Sequence, residues 1–185
     1  YADETRLCQI GGGTLQLVHS SNSHPGDTYA ADVIRHLHER NIRFGNAVSV
    51  TYVPHYDPAI AKLLVAGADI WLNTPMRLKE ASGTSGMKAA LNGTINVSTL
   101  DGWWAEAYAH DPEAGWRIGP ERDIAAEDEM RKLDAEDLYT QLEMEILPCF
   151  ADKTAWAARM KRAIALTALF NTHRCIKEYT ERAWN

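Results

Sequence analysis

The chain has 185 residues, enough for one domain or one domain with an extension, and a chain of that length buries roughly 70% of its unfolded surface without disulfide or metal staples. Nineteen Lys and Arg against 25 Asp and Glu leave a net charge of −6, which excludes the clustered basic surface of a duplex-binding protein. No apolar run approaches a membrane span, and the opening YADETRLCQI lacks the basic-then-apolar pattern of a secretory signal, so neither nucleic acid nor membrane is an expected partner.

The first predicted strand is the short apolar stretch Leu15–His19. Gly26-Asp27 then punctuates the chain ahead of a helical pattern in which Tyr29, Val33 and Leu37 recur every four residues, joined by Ala30 and Ile34, with Asp27 placed to cap it. Ala47–Val53 is rich in β-branched residues and predicts a second strand. Asp57-Pro58 is a helix start: a capping carboxylate, then a proline whose missing N–H costs nothing at the first helical position. Ile60, Leu63 and Leu64 supply its buried stripe and Gly67 ends it. Ala68–Leu72 and Thr94–Leu100 are further strands, separated by the glycine-rich KEASGTSGMKAALNG of Lys79–Gly93. Strands alternating with helices predict an α/β fold, a Rossmann-like parallel sheet with flanking helices over residues 1–120. Ligands of such sheets lie beyond the carboxyl ends of the strands, where the glycine-rich turn falls.

Residues 121–185 read as a helical C-terminal extension of the same domain. Glu121–Glu145 holds ten acids against three bases, a solvated helical surface. Asp134 is expected to cap a helix carrying Leu138, Leu142 and Ile146, with Pro148 helping to end it. Thr154–Phe170 and Asn171–Ala183 predict two more helices broken at Phe170-Asn171, with Arg159, Lys161, Arg162, Arg174 and Lys177 mostly on polar faces.

Ser82-Gly83-Thr84-Ser85-Gly86 can wind tightly, bring backbone N–H groups close to a ligand and open a helix near Ser85. The first amides of a helix have no internal partner and favour an anion such as a phosphate. Lys88 then sits about one turn in, facing the same space or the core behind it. No GK[ST] triplet follows, so the turn is not a Walker A loop. Ser85-Gly86-Met87-Lys88 fits the serine–lysine pair of penicillin-binding proteins, but the SDN and KTG elements are absent. From spacing alone, a tight turn with an exposed lysine and a phosphate-bearing site both remain open.

Glu80-Ala81-Ser82-Gly83-Thr84-Ser85-Gly86-Met87-Lys88, followed by Leu91-Asn92-Gly93 and Leu100-Asp101-Gly102, resembles the pyridoxal phosphate motif of the α-glucan (glycogen, starch, maltodextrin) phosphorylases. HYDPAIAKLLVAGADIWLNTP upstream and FNTHRCIKEYTERAW downstream are similar to the short-type branch of that family. The resemblance implies part of the C-terminal half of a GT-B glycosyltransferase fold, followed by C-terminal helices. It implies phosphorolysis of α-1,4-glucan by inorganic phosphate to α-D-glucose 1-phosphate with retention, with the cofactor's phosphate as proton relay.

By the same match Lys88 would carry pyridoxal 5′-phosphate, Thr84, Ser85 and Gly86 would hold its phosphate, and Tyr56 would lie near it. Glu80, Ser82 and Gly83 would contact the glucosyl unit. A phosphorylase is several times longer, so the resemblance implies an N-terminal half as partner, and the chain alone is expected not to turn over glucan. A homo-oligomer is compatible with it. The family's G-K-A-H-P stretch stands here as Ser21-Asn22-Ser23-His24-Pro25, without its lysine, and Tyr56-Asp57 stands where long-type enzymes have Tyr-Arg. Rival readings are a nucleotide-sugar glycosyltransferase of the glycogen synthase kind, which has no cofactor lysine at this place, and a non-catalytic domain that keeps the fold.

The remaining candidates are weaker. Cys8, Cys149 and Cys175 lack CxxC spacing, as expected of reduced thiols in a cytoplasmic protein. His36 and His38 face different ways on a helix, and no metal site is expected. Trp103 and Trp104 are expected to pack rather than to stack on sugar, and Trp116, Trp156 and Trp184 belong to core or interface. Asp101 either caps the next helix or orders the cofactor loop, and capping is the favoured reading.

Overall fold

Polar side chains just outside the helices decide where many of them begin. The computed structural model describes residues 3–22, 26–120 and 126–184. They gather into two compact units, one up to Lys62 and one from Leu63 onward. In the first unit Asp3 accepts the Arg6 N–H at 2.9 Å and opens α1 (Glu4–Gly11), a helix not anticipated from the sequence. After β1 (Leu15–Ser20), Asp27 accepts the Ala30 N–H at 3.0 Å and opens α2 (Thr28–Phe44), which leads into β2 (Val48–Val53). The strands pair in parallel, from Leu15 opposite Val48 to Ser20 opposite Val53. Leu7, Leu37, Phe44, Val48 and Val50 are buried.

Two details correct the expectation, one in this unit and one where the chain passes from the first unit to the second. Tyr29 is 77% exposed, and Val33 is exposed as well. A spacing of four residues drifts by about 40° per step around a helix of 3.6 residues per turn, so Tyr29, Val33 and Leu37 fan out and only the last meets the core. In α3 (Pro58–Gly67), opened by Asp57 accepting the Ile60 N–H at 2.8 Å, Leu63 is 73% exposed and Val65 is buried instead. The Thr94 hydroxyl donates to the carbonyls of Val65 and Ala68, at 2.8 and 2.9 Å, and turns that side of the helix inward.

In the second unit β3 (Ile70–Asn73), α4 (Thr84–Leu91), β4 (Ile95–Thr99), α5 (Trp103–His110) and β5 (Gly115–Ile118) build a parallel sheet in the order β3-β4-β5. Every residue of the central strand is buried. Ile95 and Val97 join Trp116, Ile118, Ile146 and Trp156 in one core cluster. A second cluster packs Ala90 of α4 and Trp103, Trp104 and Ala107 of α5 against Ala163 and Leu166. The expected packing role of Trp103, Trp104, Trp116 and Trp156 holds, whereas Trp184 is exposed. The architecture is α/β, with parallel sheets flanked by helices, as the strand–helix alternation predicts.

The C-terminal part is helical: α6 (Glu127–Gln141), a π turn over Leu142–Ile146, α7 (Leu147–Ala151), α8 (Lys153–Thr167) and α9 (Thr172–Arg182). Asp152 and Asn171 cap the last two. Asp134 does not cap a helix; it sits within α6 and faces Arg77 at 3.5 Å. Pro148 does not end the run either. It falls in the first turn of α7, where a missing N–H costs little, directly after the π turn. Most acids of α6 are exposed, but Asp137 accepts the Gly119 N–H at 2.7 Å, so part of the acidic surface latches the end of β5. Glu121, Arg122 and Asp123 lie outside the described residues. No helix among the described residues is long and apolar enough to cross a membrane.

Two measurements check this packing. A Cβ on Gly115 would stand 2.3 Å from the Asn96 carbonyl oxygen and 2.6 Å from the Trp104 ring, a clash of backbone and buried indole. Gly115→Ala should therefore cost about 1–3 kcal/mol or more in urea unfolding. Burial raises the Asp134 carboxyl above its ordinary value, with Arg77 opposing the shift. The fold then binds that proton more tightly than the unfolded chain does, so the contribution is full below the unfolded pKa and is lost as pH rises through the folded one. Relative to Asp134→Asn, the unsubstituted chain should lose stability across that window.

Candidate functional site

The site forms where β3 and β4 end and α4 begins. Between β3 and α4 the chain makes a ten-residue loop, 74–83, whose anchors are spread over the second unit. The Thr99 hydroxyl donates to the Pro75 carbonyl at 3.3 Å. Arg77 donates from Nη2 to the Ile118 carbonyl at 3.2 Å and faces Asp134. Asp101 accepts the Lys79 and Glu80 amides on Oδ2, at 3.2 and 3.0 Å, and the Gly102 amide on Oδ1 at 2.8 Å. The Trp103 N–H donates to the Ser82 carbonyl at 2.8 Å. The Asp101 carboxylate thus orders the loop rather than capping α5, whose N-cap is Gly102 without a side-chain bond. Leu78, 82% exposed, adopts a left-handed φ of 63°, a conformation that costs a leucine about 1–3 kcal/mol and that the anchors on either side impose.

Helix α4 starts on Gly83, which is left-handed (φ 84°, ψ 40°) and offers no capping side chain. Gly83 and Gly86 are required by close approach. A Cβ on Gly86 would lie 2.7 Å from Trp103 Nε1 and 2.9 Å from Asn96 Oδ1, and one on Gly83 would lie 2.9 Å from the Trp103 ring. The Ser82 and Gly83 carbonyls are taken by the Trp103 and Gly86 amides. Among the described residues, the amides of Ser82, Gly83, Thr84 and Ser85 and the hydroxyls of Thr84 and Ser85 have no acceptor or donor of their own. Successive unpaired amides at a helix start favour a bound anion. Beneath them Asn96 is buried with both side-chain amide atoms unpaired, as is Trp104 Nε1.

Glu80, Ser82, Gly83, Thr84, Ser85 and Gly86 line one hollow of about 310 Å³, together with Asn73 and Ala81. That volume is at the lower end of small-molecule sites, about 300–1,000 Å³. The unpaired amides, the two hydroxyls and the uncapped helix start fit a phosphate-bearing ligand. Lys88 does not line the hollow. It is exposed, one turn along α4 from Thr84 on the same side of the helix, and its amine is in no ion pair or hydrogen bond among the described residues. Tyr56 belongs to the first unit, where its carbonyl accepts from Asn22 Nδ2 at 2.6 Å. His24 lies outside the described residues. Sequence reasoning missed Asn73; its signal is a polar residue closing an apolar strand at the carboxyl edge of a parallel sheet.

A family model described as carbohydrate phosphorylase matches residues 15–110, from the start of β1 to the end of α5. The maltodextrin phosphorylase of Thermococcus litoralis is 39% identical over 92% of this chain, which spans 21% of that protein. The glycogen phosphorylase of Aquifex aeolicus is 33% identical over the whole chain, which spans 28% of it. That of Mycobacterium tuberculosis is 40% identical over 75% of the chain and is spanned to 16%. With the loop and α4 inside the matched region, this chain belongs to the carbohydrate phosphorylase family.

Proposed function

We infer that the chain supplies the cofactor- and sugar-binding part of an α-1,4-glucan phosphorylase, an enzyme that transfers the terminal glucosyl unit to inorganic phosphate and releases α-D-glucose 1-phosphate with retention. The family match carries the reading. The run of unpaired amides at the start of α4 supports it, because that is the arrangement a phosphate ester needs.

Thr84 and Ser85 would bind the phosphate of pyridoxal 5′-phosphate through their amides and hydroxyls, Gly86, whose amide already donates to the Gly83 carbonyl, would seat the helix start closely on Trp103 and Asn96, and Lys88 would hold the cofactor through its amine. When bound, the cofactor supplies a phosphate monoester with a second pKa of about 6, suited to passing a proton near neutrality. The Glu80 carboxylate would accept a glucosyl hydroxyl. The carbonyls of Ser82 and Gly83 are already engaged, so those residues would serve the sugar through their amides. Tyr56 would stand near the cofactor phosphate. The partners proposed are α-1,4-glucan, inorganic phosphate, the N-terminal half of such an enzyme and a second copy of it. The three unpaired cysteines support a cytoplasmic setting.

A second reading, a domain that keeps the fold without the chemistry, is favoured by one observation. At the position of the family's lysine and at that of the long-type arginine, the side chains here have structural work: Asn22 ties the segment after β1 to Tyr56, and Asp57 caps α3. Reduction with borohydride after addition of pyridoxal phosphate, followed by peptide mapping, separates the two. A pyridoxyl group concentrated on Lys88, and missing from Lys88→Ala, is the expected outcome. Labelling spread evenly over surface lysines would count against the cofactor site.

A further inference from the structure

We propose that Asp101 is a positioning residue for the sugar end of the site: its carboxylate sets where Glu80 and the Ser82 amide stand. The inference deepens the functional reading above and rests on it.

The carboxylate bridges two segments far apart in sequence. Oδ2 accepts two successive loop amides, Lys79 and Glu80, while Oδ1 accepts Gly102 at the start of α5. A carboxylate has lone pairs for all three, and its charge strengthens each bond. The same turn then closes on the loop a second time, because the Trp103 N–H donates to the Ser82 carbonyl. Between these two clamps the packing is tight. A Cβ on Gly102 would lie 2.6 Å from the Ser82 carbonyl oxygen and 2.9 Å from Glu80 Cγ, so the stem of Glu80 lies directly against the turn.

Glu80 is therefore held twice, by its amide on Asp101 and by its stem on Gly102. The Ser82 carbonyl faces Trp103, which leaves its amide for a ligand. A displacement of about 1 Å in a positioned group can cost roughly a hundredfold in rate, so the clamp has consequences for a sugar hydroxyl that Glu80 must meet. An alanine at this place removes both acceptor oxygens, so the Lys79, Glu80 and Gly102 amides all lose their partner.

The test uses Asp101→Ala in the full chain with pyridoxal phosphate present. Amide hydrogen exchange should quicken about tenfold at Lys79 and Glu80, with the protection of β4 retained. Binding of α-D-glucose 1-phosphate, followed by NMR titration, should weaken by about tenfold. Unchanged exchange at both amides overturns the positioning role, as does unchanged glucose 1-phosphate binding. A general loss of protection across β4 makes Asp101 a structural residue and overturns it too. Failure of the unsubstituted chain to bind glucose 1-phosphate overturns the functional reading, and the positioning role with it.

Discussion

Complete burial of β4 is the constraint on which the second unit depends. A strand with no exposed residue needs a partner on each edge and cover on each face. Its edges are filled by β3 and β5, both parallel to it, and parallel neighbours must be joined by crossovers. Helices α4 and α5 are those crossovers. Because each must leave the sheet at the carboxyl end of a strand, their starts come together there, and so do the loop from 74 to 83 and the Asp101 turn. The site is a consequence of the way β4 is covered.

The tryptophans show how closely that cover fits. Trp103 and Trp104 are tilted against each other with ring centroids 5.4 Å apart, and Trp103 meets Phe170 edge-on at 5.2 Å. Glycines make room for them: Gly83 and Gly86 of the motif give space to Trp103, and Gly115 of β5 to Trp104. A motif that reads as ligand-binding in the sequence is thus also a packing surface, with the unpaired amides on one side and an indole on the other. On the other face of the sheet Arg159 lies over the Trp116 ring at 4.0 Å and donates to the Gly115 carbonyl, so a residue that reads as surface charge seals the core edge.

Much of this was legible in local chemistry. The capping roles of Asp27 and Asp57, the strand–helix alternation and the helix starting at the glycine-rich turn all follow from neighbours within four residues. Errors arose where a face had to be chosen. Tyr29, Val33 and Leu63 are apolar at helical spacing but exposed, because which side of a helix is covered depends on distant strands. Asp134 has the composition of a cap and the position of a mid-helix partner for Arg77, 57 residues away.

What the sequence by itself determined is the α/β class, the strand–helix alternation from β1 to β4, the family and the chemical character of the turn at Glu80–Lys88, since these are set by residue type and short spacing; α1 and β5 were not legible in it. What only the tertiary structure decided is which groups are already engaged. It gave the Asp101 carboxylate to Lys79, Glu80 and Gly102, gave the Ser82 carbonyl to Trp103, left four successive amides unpaired, and put Lys88 in the open beside the hollow rather than in its lining. Hydrogen bonds across some twenty residues of intervening chain depend on where the sheet brings two loops together, and no local pattern encodes that.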